Sequence, residues 1–344
     1  MLKSLLLSAA LFVITLILVY FHAPLLIIFI LIILTMIKTA HLLGNATEEL
    51  ANYYSPTIGG LLNATLGNTA ELIIGFFALK EGLIDVVKAS ITGSMIGNIL
   101  LVFGLAIVAG GLKKKEMKLK KHEAEVSSTM LLITVLLLLF PSLLILFHEE
   151  SHTVSISIAV AISLMALYLL SLVFSLYTHK EYFLNVSHEK PTMKKSHAFF
   201  YLLSSIIILM ILSEIFASKI EAIAHNLHFG ELFVGAILVG IAGNAAEHLS
   251  AIRFARKDKM SLVLNTTIGS SLQVAMFVAP LLVFFSLVLG NFMSLTFLPL
   301  EIIAIIASVL LINEVARDGS VNWLEGIQLV VLYIVIAVLF FFHW

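Results

Sequence analysis

Eleven stretches of the chain are each about 20 or more residues long and mainly apolar, the length a helix needs to cross a bilayer. They fall near residues 5–22, 24–50, 55–80, 83–112, 126–148, 152–178, 197–225, 230–256, 258–289, 293–313 and 322–343. The expected fold is therefore an all-α polytopic membrane protein, since backbone polar groups in hydrocarbon must be satisfied inside the chain. The composition agrees, with 60% hydrophobic and 12% charged residues where a soluble chain has about a quarter charged. A net charge of −1 with basic residues in short clusters offers nucleic acid no binding face. The absence of cysteine excludes disulfides, thiolate metal sites and thiol nucleophiles, so any metal must be held by oxygen or imidazole. The first apolar run, after Lys3, lacks a small-residue cleavage pattern and reads as a retained helix rather than a signal peptide.

Lysine and arginine set the expected orientation. Lys113, Lys114, Lys115, Lys118, Lys120 and Lys121 share one loop, Lys180, Lys190, Lys194 and Lys195 a second, and Arg253, Arg256, Lys257 and Lys259 a third. With eleven spans all three loops fall on one side, which places the N-terminus in the cytoplasm and the C-terminus outside, in what reads as a prokaryotic cell membrane. These loops are topogenic charge in contact with lipid headgroups rather than regulatory elements.

A shift of 176 residues lays Gly67-Asn68-Thr69-Ala70-Glu71 on Gly243-Asn244-Ala245-Ala246-Glu247 and, without a gap, Gly93-Ser94 on Gly269-Ser270. Most of these matches are residue types that a lipid-facing helix avoids. The chain then divides into an extra N-terminal helix (1–22), a first five-helix repeat (24–178), a cytoplasmic linker (179–196) and a second repeat (197–344). An odd number of spans per repeat forces opposite orientations, so the repeats are expected to be inverted, with a substrate site at the midplane.

Glu71 and Glu247 lie deep in their spans, where a charge costs at least about 2.5 kcal/mol on insertion scales. Packing could explain one such glutamate, but two at equivalent positions point to function. Gly67 and Asn68, and likewise Gly243 and Asn244, supply amide oxygens and backbone that unwinds readily, freeing carbonyls. On the following spans Ser90, Ser94 and Asn98 form one polar stripe and Thr266, Ser270 and Gln273 its counterpart; Gly93, Gly97 and Gly269 read as close-packing residues. Carboxylates, amides, hydroxyls and carbonyls make an all-oxygen cage, which is calcium chemistry. Two carboxylates in low dielectric resist ionising together and hold protons once the cation leaves, so cation and protons compete for one site.

These residues resemble the calcium/proton exchanger branch of the calcium/cation antiporter superfamily. The resemblance covers nearly the whole chain and is carried by GNTAELIIGFFALKEGLIDVVKASITGSMIGN (Gly67 to Asn98), GNAAEH (Gly243 to His248) and NEVARDGSVNWLEG (Asn313 to Gly326). It implies a secondary antiporter that moves Ca2+ against H+ by alternating access, with Glu71 and Glu247 as ligands of the exchanged ions, no cofactor and no enzymatic chemistry. Asn68 and Asn244 imply protons rather than sodium as the coupling ion. Spans 24–50 and 197–225 would slide as gating helices.

A sodium/calcium exchanger on the same scaffold is the nearest rival. An intramembrane hydrolase using Glu247 and His248 is weak, because no HExxH pattern occurs and adjacent helical residues diverge by about 100°. A passive channel would leave the paired carboxylates without a reason to be protonatable. The shift also superposes Lys38 on Glu214, which suggests helix-end snorkelling or an ion pair, and Glu125 on Glu301, which suggests a place in an ion pathway or helix N-terminal charge. The expected partners are Ca2+, protons and lipid, with room for a homo-oligomer.

Overall fold

The computed structural model describes residues 1–112, 114–146, 150–180 and 190–343. Its helices are α1 (Leu2–Tyr20), α2 (Leu25–Ala51), α3 (Pro56–Leu66), α4 (Thr69–Lys80), α5 (Ile84–Gly111), α6 (Lys121–Leu146) and α7 (Thr153–Thr178). The second half adds α8 (Lys195–Ala217), α9 (Ile220–Leu227), α10 (Glu231–Gly243), α11 (Ala245–Arg256), α12 (Met260–Leu289), α13 (Pro299–Ala316) and α14 (Trp323–Phe342). A two-stranded antiparallel pair, β1 (Met117–Lys118) with β2 (Ser320–Val321), joins two loops.

Ten apolar helical stretches among the described residues are long enough to cross a bilayer, α3 and α4 acting together as one of them. The predicted span 230–256 is not among them, because its helix breaks at Asn244 and α11 carries Glu247, His248, Arg253 and Arg256. The predicted span 197–225 also divides, into α8 and the short α9. The bent pair α9 with α10, turned by 120°, passes the same test of length and composition when taken together, which makes up to eleven candidate spans. Lys114 pairs with Asp258 at 2.6 Å, so the loops after α5 and α11 share one end of the molecule. Pairing of β1 with β2 brings the loop after α13 to the same end.

The compact units are not the two sequence halves. One comprises Met1–Leu83, Leu172–Phe229 and Ala242–Ala246; the other comprises Ile84–Ser171, Gly230–Ile241 and Glu247–Trp344. In the first, α2 packs along α8, with Phe29 stacked on Phe216 at 5.8 Å between ring centres. The extra helix α1 docks on α2 through its two buried residues, Ser8 and Thr15, the Thr15 and Thr35 hydroxyls meeting at 3.3 Å. In the second, α5 is the central helix and most of it is buried. It packs so closely on α10 that a methyl at Gly93 would overlap the Ala236 carbonyl oxygen. It crosses α12 where the Ser271 hydroxyl donates to the Met95 carbonyl at 3.4 Å.

Candidate ion-binding site

Both Gly-Asn motifs break a helix. α3 ends at Leu66 and α4 restarts at Thr69, with Asn68 at φ −95°, ψ 22°; α10 ends at Gly243 and α11 restarts at Ala245. Glycine lowers the cost of leaving the helix, and an asparagine side chain competes with the helix for backbone groups. Each glutamate is then the third residue of the restarted helix, within the first turn, where the helix dipole favours negative charge.

In the first unit this gathers Gly67, Asn68, Glu71, Gly243 and Asn244. Asn68 is 1% exposed, Glu71 9% and Asn244 0%. The carboxylate arm of the first motif lies against the glycine of the second: a methyl at Gly243 would meet Glu71 Cγ at 3.2 Å and Oε1 at 3.7 Å. Glu247, four residues further along, begins the next segment of the second unit; its Oε2 is buried and has no hydrogen-bond partner among the described residues.

The second unit also holds Ser94, Asn98, Ser270 and Gln273, the first three buried and Gln273 half-buried. Met95 and Ser271, the point where α5 and α12 touch, are themselves 176 residues apart, so the two polar stripes meet at equivalent positions. Each helix widens into a π-helical stretch there, Gly97–Val102 in α5 and Val274–Val278 in α12, and the 176-residue shift carries 97–102 onto 273–278. Such stretches inside helices are frequent at functional sites. The outer members of the stripes point elsewhere: the Ser90 hydroxyl donates to the Val87 carbonyl at 2.8 Å and Thr266 to the Leu262 carbonyl at 2.7 Å. Of the three glycines expected to pack closely, Gly93 does; a methyl at Gly97 or Gly269 would meet nothing within 4 Å.

Residues 24–177 and 197–342 match the sodium/calcium exchanger protein family. The chain belongs to this family. It is 41% identical over 338 residues to a Ca(2+)/H(+) antiporter of Synechocystis, covering 92% of this chain and 91% of that one. It is 38% identical over 327 residues to the Ca(2+)/H(+) antiporter ChaA of Bacillus subtilis, covering 93% of each. The solved structure of native YfkE superposes with a TM-score of 0.86 at 36% identity, over 98% of this chain and 99% of that one. The H+/Ca2+ exchanger CAX, at 18% identity and a TM-score of 0.75, shares the fold. A vacuolar calcium ion transporter of fission yeast, Schizosaccharomyces pombe, is 34% identical over 333 residues.

The secondary candidates are rearranged. Glu214 is held by Lys80 at 2.8 Å, not by Lys38, and Lys38 stands exposed midway along α2 rather than at a helix end. Glu301 is buried: it accepts from the Thr92 hydroxyl and from the Leu298 backbone N–H, both at 2.8 Å, and so caps the first turn of α13. Glu125 is exposed, 3.9 Å from Lys121. The buried acid at the start of α6 is Glu123, which the 176-residue shift passes over. Helical spacing could have found it. Glu123, Ser127, Leu131 and Thr134 recur three to four residues apart and all are buried, a core-facing stripe from which Glu125 is turned away.

Proposed function

We propose that the chain is a secondary antiporter that exchanges Ca2+ for H+ by alternating access, with Glu71 and Glu247 taking the cation or protons in competition. The observation that carries this reading is the pair of helix breaks, 176 residues apart, each followed at once by a glutamate in a first helical turn. A break of this kind frees the carbonyls of the preceding turn and presents amide oxygens beside a carboxylate, the donor set that calcium takes. Asn68, Asn244, Ser94, Asn98, Ser270 and Gln273, with the Gly67 and Gly243 carbonyls, are the proposed further ligands. The names of the relatives from Synechocystis and Bacillus, matched over nine-tenths of their length, support calcium and protons as the exchanged pair. The shared end of the basic loops supports a cytoplasmic N-terminus, and the pairing of α2 with α8 supports their moving as gating helices.

The test is calcium flux into proteoliposomes under an imposed pH gradient without sodium, then under a sodium gradient at equal pH. Flux is expected in the first arm. Flux in the second arm alone would assign the chain to sodium-coupled exchange, and flux without either gradient's coupling would make it a channel.

A further inference from the structure

Glu123 is a carboxylate for which the exchange site has no use. It lies in the first turn of α6, 2% exposed, with both oxygens buried and no closely aligned hydrogen bond to either. Ser261 and Asn265 at the start of α12 are the polar side chains beside it, and Lys120 is the cation nearest in the sequence that acts on it. A buried carboxylate facing only one hydroxyl and one amide is costly, and a packing role would be filled better by an apolar residue of the same size. Glu301 shows the contrast, since its two oxygens are both satisfied and its work is to cap α13.

From Asn265 a row runs along α12. Ser261, Asn265, Gly269 and Gln273 are spaced four apart. Four residues of α-helix overshoot a full circle by about 40°, and four residues of π-helix, at about 4.4 per turn, fall short by about 33°. The π-helical stretch Asn265–Gly269 therefore straightens the row, which would otherwise wind around the helix. Gly269 in the middle has open space where a side chain would be. The row ends at Gln273, a proposed ligand, about 12 Å from Asn265 at 1.5 Å per residue.

We infer that Glu123 is a proton-relay residue, carrying protons between the exchange site and the side of the membrane that holds the loops 113–120 and 257–259. The inference rests on the proton-coupled reading above. Its carboxylate takes up a proton that leaves the site through water filing along the Asn265–Gly269–Gln273 row, whose amides would hold that water, and gives it to solution at that end, or the reverse, and is unchanged after each cycle. A waiting place for calcium would need six to eight oxygens, whereas one carboxylate, one hydroxyl and one amide supply four at most. The segments of α12 that face α6, 265–269 and 270–278, carry no titratable residue. On α13, Glu301 is bonded as described and Glu314 is exposed beside Arg317 at 3.5 Å; Glu150 and His152 lie beyond the far end of α6. On its own helix Glu125 is exposed near Lys121, and His122 is exposed.

The test replaces Glu123 in the full-length protein and reads two quantities, calcium binding in detergent and the initial rate of pH-driven calcium flux in proteoliposomes. For Glu123→Gln, binding is expected within about twofold of the parent while the rate falls of order tenfold or more, toward the low end of what a positioned proton-transfer group contributes. A small membrane-permeant weak acid should restore much of that rate, and Glu125→Gln should behave as the parent. A Glu123→Gln rate equal to the parent at every pH, or a rate lost in proportion to calcium binding, would overturn the relay. Should Glu123→Gln fail to fold, Asn265→Leu keeps the carboxylate and strips a polar neighbour; a displaced rate–pH profile with unchanged binding supports the relay, and an unmoved profile overturns it. A parent that shows no pH-driven flux defeats the exchange reading itself, and the relay with it.

Discussion

Gly243→Ala isolates the geometry of the proposed site from the stability of the fold. The added methyl would stand 3.2 Å from Glu71 Cγ, whereas carbon atoms settle at about 3.5–4.0 Å, so the glutamate arm must retreat by about 0.3–0.8 Å, near 0.5 Å at the middle of that range. Calcium–oxygen distances span only about 2.3–2.6 Å, and a shift of that size uses up the whole window. If a misplacement of about 1 Å costs a hundredfold, half of it costs about tenfold, or about 1.4 kcal/mol. Alanine is at least as good a helix former as glycine, so the melting temperature should hold or rise. The assay is pH-driven calcium uptake against calcium concentration, with a thermal melt of the same preparation. A KM raised about tenfold in a protein no less stable is the expected result. Glu71→Asp in the same chain should cost less than the two single effects added, because the shorter arm already stands clear of the methyl. An unchanged KM in folded Gly243→Ala would refute the placement of Glu71 as a ligand.

Glu71→Gln and Glu247→Gln keep the volume and remove the charge, so each should nearly abolish exchange and the double variant should be little worse than either, as flux assays can show. Gly93→Ala drives a methyl into the Ala236 backbone carbonyl, which cannot swing aside, and should destabilise by about 1–3 kcal/mol or more, read as yield and melting temperature. Thr92→Val leaves Glu301 with one donor fewer in a buried setting and should cost about 1–3 kcal/mol in a denaturation series without altering calcium affinity. Reversing Lys80 or Glu214 alone should change stability by at most about 1 kcal/mol, since both side chains are about half exposed.

The helical fold and the breaks at Asn68 and Asn244 were legible because both depend on local sequence, namely apolar run length and the weakness of a Gly-Asn pair in a helix. The partners of Glu214 and Glu301 were not. Superposing Lys38 on Glu214 finds residues that occupy the same place in two repeats, and such residues need not touch; Lys80 reaches Glu214 from 134 positions away through packing of α4 on α8. Glu125 is matched to Glu301 by spacing alone, while burial at the start of α6 falls to Glu123. The π-helical stretches had no signal in residue type alone, because they follow from how α5 and α12 pack. The span expected at 230–256 was legible as an apolar run, but its bend after α9 was not, because it depends on packing.

That crossing has a consequence for how the protein is made. Ten spans pass the test of length and apolarity singly and α9 with α10 only as a bent pair, while α11 places Glu247, His248, Arg253 and Arg256 within 12 residues, where a charge near the bilayer centre costs at least about 2.5 kcal/mol. The segment 220–256 is therefore expected to enter the membrane with the help of helices already there, α5 packed on its α10 among them, and the Gly-Asn-Glu motif it carries to be placed late in biosynthesis. A chain stopped near residue 256 should leave that segment outside the bilayer, while one extended through α12 should draw it in.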